Sequence, residues 1–246
     1  MYMNKTAVVI GAGSGLGFGL AKKFKKEGFK VVLVARNEQS LKEMAVKLGE
    51  NVFFKKVDAS DAENLKKSIE EIKKEYGTPE VVLYNVGITT PDSDSLTAET
   101  LVEHFKADVA GAYTTAMCFA DDKFGEKKGA IIFTGGGLAM YPADGFIPLS
   151  IDKAALRTLA YILHDKYKKQ GIFVGIVEVC GTINGSPYFS ADNIAESYWH
   201  MYLDRDKCEY AYETPELSAQ QNEYGAFENK TTEYWGKVYK FSSEDK

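Results

Sequence analysis

Between an apolar run at Thr6–Ile10 and a stretch of helical period lies Gly11-Ala12-Gly13-Ser14-Gly15-Leu16-Gly17, and no other part of the chain restricts its fold as much. A short, wholly apolar run rich in β-branched residues suits a strand buried on both faces. Leu16, Leu20 and Phe24 then recur at helical spacing, and Gly28 stops the helix. Gly11 is placed for the tight turn, Gly15 lets the backbone approach an anion, and Gly17 allows the helix to pack closely on the strand. The helix N-terminus then offers unpaired N–H groups and the positive end of its dipole. A glycine-rich string alone is a weak signal, since many tight turns use glycine. In a strand–turn–helix setting it predicts the pyrophosphate of a dinucleotide, held by Gly11, Gly13, Ser14, Gly15, Leu16 and Gly17.

The alternation continues along the chain. Strands are expected at Phe29–Val34, Val52–Val57, Val81–Tyr84, Ala130–Thr134, Ile172–Val179 and Cys208–Tyr212. Between them, helices are expected around Leu41–Leu48, after a capping box at Ser60-Asp61-Ala62-Glu63, over Ala98–Phe119, over Ser150–Tyr167 and over Asp192–Tyr202. Such regular alternation predicts an α/β fold, a doubly wound parallel sheet with helices on both faces, in a single domain. That domain is expected over residues 1–213, with a substrate loop and late helix at about 181–206. Residues 214–246 form a polar tail with scattered aromatics, among them Tyr224, Phe227, Tyr234, Trp235, Tyr239 and Phe241. The aromatics leave open a disordered appendage or an arm packed on the domain or on a neighbouring subunit. Tyr198, Trp199 and Tyr202 on the late helix suit a core or an interface better than a ligand.

Composition narrows the partners. The 246 residues carry a formal net charge of −5 with no long basic or acidic block, so neither nucleic acid nor a membrane surface is expected. No apolar run approaches the roughly 18 residues of a spanning helix. Met1-Tyr2-Met3-Asn4-Lys5 leads straight into a strand, and Cys118, Cys180 and Cys208 suit reduced thiols, so a cytoplasmic location is expected. His104, His164 and His200 show no metal-ligand spacing, and no metal is expected.

Further along, Val57-Asp58-Ala59, Tyr84-Asn85-Val86-Gly87, Asp108-Val109-Ala110-Gly111, Leu149-Ser150-Ile151-Asp152-Lys153 and Cys180-Gly181-Thr182 follow the glycine turn in order. Together they resemble the short-chain dehydrogenase/reductase family over about residues 6–190, which implies a Rossmann fold and a nicotinamide cofactor. The resemblance implies that Asp58, with Ala59, meets the adenine amine, that Asn85 and Gly87 lie beneath the adenosine ribose, and that Thr182 closes on the cofactor. It also implies a homo-dimer or homo-tetramer built through the helices at about residues 98–120 and 150–168. Where NAD-specific sites carry an acid at the end of the second strand, Val34-Ala35-Arg36-Asn37 has none. Arg36 can stack on adenine and pair with a 2′-phosphate, and Asn37 or Ser14 can add a donor, so NADP(H) is favoured over NAD(H).

The catalytic positions depart from the family. In Tyr-x-x-x-Lys the tyrosine gives the proton and the lysine lowers its pKa, while a serine holds the substrate oxygen and an asparagine maintains a water relay. Here Leu149 stands at the tyrosine position, Gly136 at the serine position and Asp108 at the asparagine position. Lys153 remains and can bond the nicotinamide ribose; with Asp108, which can donate a proton if buried and neutral, it is the candidate catalytic pair. Thr134, Tyr141, Asp152 and Tyr188 are other possible proton sources, though each also suits an ordinary role as core threonine, packing tyrosine or helix-surface aspartate. Two functions follow. One is an NADP(H)-dependent oxidoreductase acting on an unidentified small carbonyl or alcohol by a non-standard proton route. The other is a nucleotide-binding pseudoenzyme, regulatory or structural, without redox turnover.

Overall fold

Seven strands form one wholly parallel sheet in the computed structural model, which describes residues 5–92, 96–214 and 216. They are β1 (Thr6–Ile10), β2 (Lys30–Ala35), β3 (Val52–Lys56), β4 (Val81–Tyr84), β5 (Ala130–Gly136), β6 (Phe173–Val179) and β7 (Glu209–Tyr212), in the order β3-β2-β1-β4-β5-β6-β7. The chain builds outward from β1 to β3, then crosses back to β4 and builds the other way. The point of reversal is the gap between the ends of β1 and β4, where Ile10 lies beside Tyr84. Doubly wound sheets place their ligands at such a switch point.

Helices cover both faces because alternate strand residues are apolar on both sides. On one face pack α1 (Leu16–Lys26), α2 (Glu38–Leu48) and α8 (Ala191–Asp204), against Ala7, Val9, Leu33 and Val177. On the other pack α3 (Ala62–Tyr76), α5 (Gly111–Phe119) and α7 (Ile147–Lys168), against Val8, Ile10, Phe133 and Ile176. Short helices α4 (Ala98–Phe105) and α6 (Asp122–Glu126) flank α5. Phe24, Phe29, Trp199 and Tyr202 meet edge-on or stacked between α1 and α8, so these late-helix aromatics are core.

Three expectations are corrected. The helix expected over Ala98–Phe119 is interrupted by a π turn at Lys106–Ala110, which turns Ala107, Asp108 and Val109 all inward. The wide turn lets consecutive residues share a buried side that an α-helix would spread around its axis. The cap of α3 is Asp61, whose side chain accepts from Asn64 N, while Ser60 turns back to bond Asp58, so Ser60-Asp61-Ala62-Glu63 does not act as a box. Asp152 is not a helix-surface residue. It is fully buried, because α7 packs against α4 and the π turn and the direction leading away from the cleft meets protein. The tail beyond Glu216, with its aromatics, lies outside the described residues.

Candidate functional site

A cleft of about 670 Å³ opens at the carboxyl ends of β1, β4, β5 and β6. Gly11, Gly13, Ser14, Gly15, Leu16, Gly17, Asn85, Gly87, Lys153 and Thr182 line it, as do Gly136 and Leu149. A second cavity of about 210 Å³, lined by Arg36, Asp58 and Ala59, shares Gly11, Gly13, Asn85 and Gly87 with it. Every sequence-predicted cofactor residue lines one or the other of these two adjoining spaces. Asp108 sits just behind it, buried, with Oδ2 accepting from Ile88 N at 3.2 Å.

The turn owes its shape to backbone crowding. Gly11 has φ +84°, and a Cβ there would lie 2.4 Å from Asn85 O. A Cβ on Gly17 would lie 2.7 Å from Gly11 O, so the helix can press onto the turn only with glycine here. Gly13 and Gly15 face open space, as positions that receive a ligand should. The N–H groups of Gly11 and Ala12 are already spent on Val34 O. Helices α2, α3, α4, α6 and α8 are capped by the side chains of Asn37, Asp61, Thr97, Asp121 and Ser190. Helix α1 has no side-chain cap and no acid in its first turn, which leaves its N-terminus suited to an outside anion. Asn37 caps α2 through its carbonyl oxygen.

One hydrogen-bonded series ties this turn to the rest of the fold. Tyr198 OH donates to Thr134 Oγ1 at 2.7 Å, Thr134 Oγ1 donates to Asn85 Oδ1 at 3.0 Å, and Asn85 Nδ2 donates to Gly11 O at 3.0 Å. The Thr134 hydroxyl proton is thus engaged and is not held ready for a substrate. Tyr188 OH donates to Glu213 O at 2.7 Å, and neither Tyr188 nor Tyr141 lines the cleft.

At the Arg36 and Asp58 end, burial opposes ionisation of Asp58. Hydrogen bonds from Ser60 N and Oγ and the charge of Arg36 outweigh it, and the carboxyl lies below its ordinary range. The opposite end is different. Lys153 Nζ donates to Thr134 O at 2.8 Å, and the side chains of Lys153, Asp108, Asp152 and Glu178 are all buried, with no ion pair between the ammonium and the three carboxyls. Burial raises the Asp108 carboxyl above its usual range, against the pull of Lys153. Burial and the nearby Asp108 push Asp152 up to about 7. Burial and Glu209 push Glu178 up to about 7, although Gly136 N donates to it. Its carboxylate fills the space a side chain at Gly135 would need. Sequence reasoning missed Glu178 altogether, because an acid in an apolar strand carries no local signal of what it packs beneath. Among the described residues no cluster of three or more His, Cys, Asp and Glu is arranged to hold a metal ion.

Leu138, Phe146, Leu149, Val179 and Ile183 give the same cleft an apolar lining, with Thr89 and Thr182 beside them. Gly136 has extended backbone (φ −169°), and a Cβ there would meet Lys153 Cγ at 3.6 Å, an ordinary contact.

The family model for short chain dehydrogenases matches residues 5–192. An oxidoreductase of Sarocladium schorii is 29% identical over 178 residues, covering 70% of this chain and 70% of its own length. A 3-oxoacyl-acyl-carrier-protein reductase of Chlamydia muridarum is 37% identical over 93 residues, which are 36% of this chain and 38% of that protein, well short of its full length. Among solved structures, the alcohol dehydrogenase of the archaeon Thermococcus sibiricus, complexed with 5-hydroxy-NADP, superposes with a TM-score of 0.76 at 22% identity, covering 87% of this chain and 99% of that one. The 3-ketoacyl-(acyl-carrier-protein) reductase of Brucella melitensis, complexed with NADH, gives 0.75 at 20% identity, with 86% and 97% covered. At these identities the structures share the fold.

Proposed function

The chain belongs to the short-chain dehydrogenase family, and from that premise we propose that it is an oxidoreductase using NADP(H) in preference to NAD(H), acting on a small carbonyl or alcohol. The observation that carries the reading is the pair of adjoining cavities, one lined by Arg36 and Asp58, the other by the uncapped end of α1 and buried Lys153, with Gly11, Gly13, Asn85 and Gly87 common to both. Gly13, Ser14, Gly15 and Leu16 would hold the diphosphate, Arg36 the 2′-phosphate, Asp58 and Ala59 the adenine, Asn85 and Gly87 the adenosine ribose, and Lys153 and Thr182 the nicotinamide end. Bound NADPH supplies hydride from its reduced ring. The chain's own task is then to orient the partner, exclude water with the apolar wall, and bring a proton to the oxygen that gains charge. Lys153 is the cationic group on the cleft placed for this, with Asp108 behind it. Solved neighbours complexed with NADH and with 5-hydroxy-NADP, and relatives named as reductases, support nicotinamide and carbonyl chemistry.

Leu149 and Gly136 together favour a second reading, a nucleotide-binding protein without turnover. Calorimetric titration with NADPH and NADH, followed by stopped-flow oxidation of bound NADPH across aldehydes, ketones and quinones, separates the two. Tighter NADPH binding and a decay with at least one carbonyl class are expected; binding with flat traces throughout would select the second reading.

We further propose that the chain self-associates through α4, α5 and α7. Among the described residues, eight of the twelve large hydrophobic residues left exposed lie on these helices, including Val102, Tyr113, Met117, Ile151, Tyr161 and Ile162. No helix among the described residues is long and apolar enough to cross a membrane.

A further inference from the structure

The polar atoms around Lys153 are largely committed within the protein. Lys153 Nζ donates to Thr134 O at 2.8 Å, and Thr134 Oγ1 is engaged with both Tyr198 and Asn85. Asn85 Nδ2 donates in turn to Gly11 O at 3.0 Å. At the end of β5, Gly136 N donates to the buried carboxyl of Glu178, and Gly137 O accepts from Met140 N and Tyr141 N. Gly135, Gly136 and Gly137 all line the cleft and bring no side chain to it. What the neighbouring segments add is hydrocarbon. Phe146, Leu149 and Lys153 follow one another by three and four residues from the N-cap of α7, a spacing that keeps them on one side of the helix, and all three line the cleft. Helix α7 packs against the turn at Gly137–Ala139, which contributes Leu138. Leu138 and Leu149 are only 6% and 7% exposed, so they border the cleft while being nearly closed off from solvent. Among the described residues that line this cleft there is no arginine, histidine or carboxylate, and Lys153 is the one charged side chain. An ammonium has three N–H donors, and Thr134 O takes one of them. A ligand oxygen therefore has one strong partner here, whereas a second charged or hydroxylated group would lose water against leucine and phenylalanine.

We propose that the substrate is an uncharged carbonyl compound whose substituents are hydrocarbon, with its single oxygen on Lys153 and its carbon chain against Leu138, Phe146 and Leu149. This rests on the oxidoreductase reading and names the substrate class of that same site. Carboxylated and polyhydroxylated carbonyl compounds are rejected, because their additional polar groups meet no charged partner on the lining and only Thr89 offers a hydroxyl outside the residues assigned to the nucleotide. Each methylene buried against the three apolar side chains adds to binding, and it adds to the rate constant kcat/KM in the same proportion.

The test uses the full chain and NADPH, with straight-chain aldehydes from propanal to hexanal and the 2-ketones of matching length. In the series that is turned over, kcat/KM should rise about fourfold for each added methylene. Glyceraldehyde, dihydroxyacetone, succinic semialdehyde and levulinate should each fall at least about a hundredfold below the apolar compound of the same length. Leu138→Ala and Phe146→Ala should each flatten the dependence on chain length, with calorimetric titration of NADPH reporting that the fold is intact. A second measurement needs no turnover: calorimetry of the NADP-loaded chain should find 1-hexanol bound more tightly than 1-propanol, and hexanoate more weakly than 1-hexanol. Turnover that ignores chain length, or that favours the carboxylated or hydroxylated compounds, would overturn this proposal and leave the oxidoreductase reading standing. Graded binding of the alcohols with no turnover of any carbonyl compound would overturn the oxidoreductase reading and keep the apolar pocket. Neither turnover nor graded binding would overturn both.

Discussion

The two ends of the cleft are built from different materials. At the phosphate turn the determinants are backbone: the left-handed Gly11, the close approach of Gly17 and the uncapped N–H groups of α1. Around Lys153 they are side chains, three buried carboxyls and one ammonium, crowded where water cannot screen them. Backbone amides carry fixed dipoles and work the same way at any pH. Buried acids are conditional, for their charge depends on pH and on one another. The first end is suited to holding a constant ligand, and the second, where charge is conditional, to responding to its surroundings.

The largest effect is expected from rebuilding the proton-giving end. Leu149→Tyr alone should not raise turnover, because Gly136 still leaves the substrate oxygen unheld. Gly136 has ordinary extended backbone and room for a Cβ, so Gly136→Ser with Leu149→Tyr should raise kcat by roughly 10²-fold or more. Full activity in the single variant would break the distinction between the two ends.

A smaller effect separates them by stability. The Asp152 carboxyl is raised from an ordinary 3.8 to about 7 in the folded chain. Between those values the unfolded chain is ionised while the folded chain keeps its proton, so stability falls as pH rises and the loss is complete above about 7. Asp152→Asn should therefore be the more stable protein above neutrality by up to roughly 4 kcal/mol, the gap narrowing towards pH 4. Thermal unfolding at a series of pH values measures it; a constant gap would show that the acid end is not conditional.

The smallest effect belongs to the adenosine end. Arg36 is exposed, so its contact with a 2′-phosphate is screened, and Arg36→Ala should weaken NADPH binding by about tenfold while leaving NADH nearly unchanged. Equal losses for both nucleotides, measured by calorimetry, would remove Arg36 as the discriminating residue.

The same division explains what could be read from the residues beforehand. The glycine turn, the strands and the switch between halves are written in short-range patterns, so Gly11, Gly15 and Gly17 could each be given a job from spacing alone. The helix ends were less exact, because Asp61 and Ser60 compete for one cap and only the bond from Ser60 to Asp58 decides between them. Asp152 was misjudged because its direction around the helix is legible and its burial is not. Burial is decided by a π turn more than forty residues earlier, and that turn interrupts what reads as an unbroken helix. Gly19 shows the same dependence on distant chain. It looks like a weakness in the middle of α1, yet a Cβ there would lie 2.6 Å from Ala191 O, so it exists for a neighbour 172 positions away.

The bonds from Tyr198 through Thr134 and Asn85 to Gly11 carry a consequence for biogenesis. The glycine turn is made long before its last bracing hydroxyl, which comes with α8. A polypeptide still tethered to the ribosome, with that helix in the exit tunnel, has the turn without its buttress. If the turn holds a dinucleotide as proposed, chains released before Tyr198 would hold it poorly.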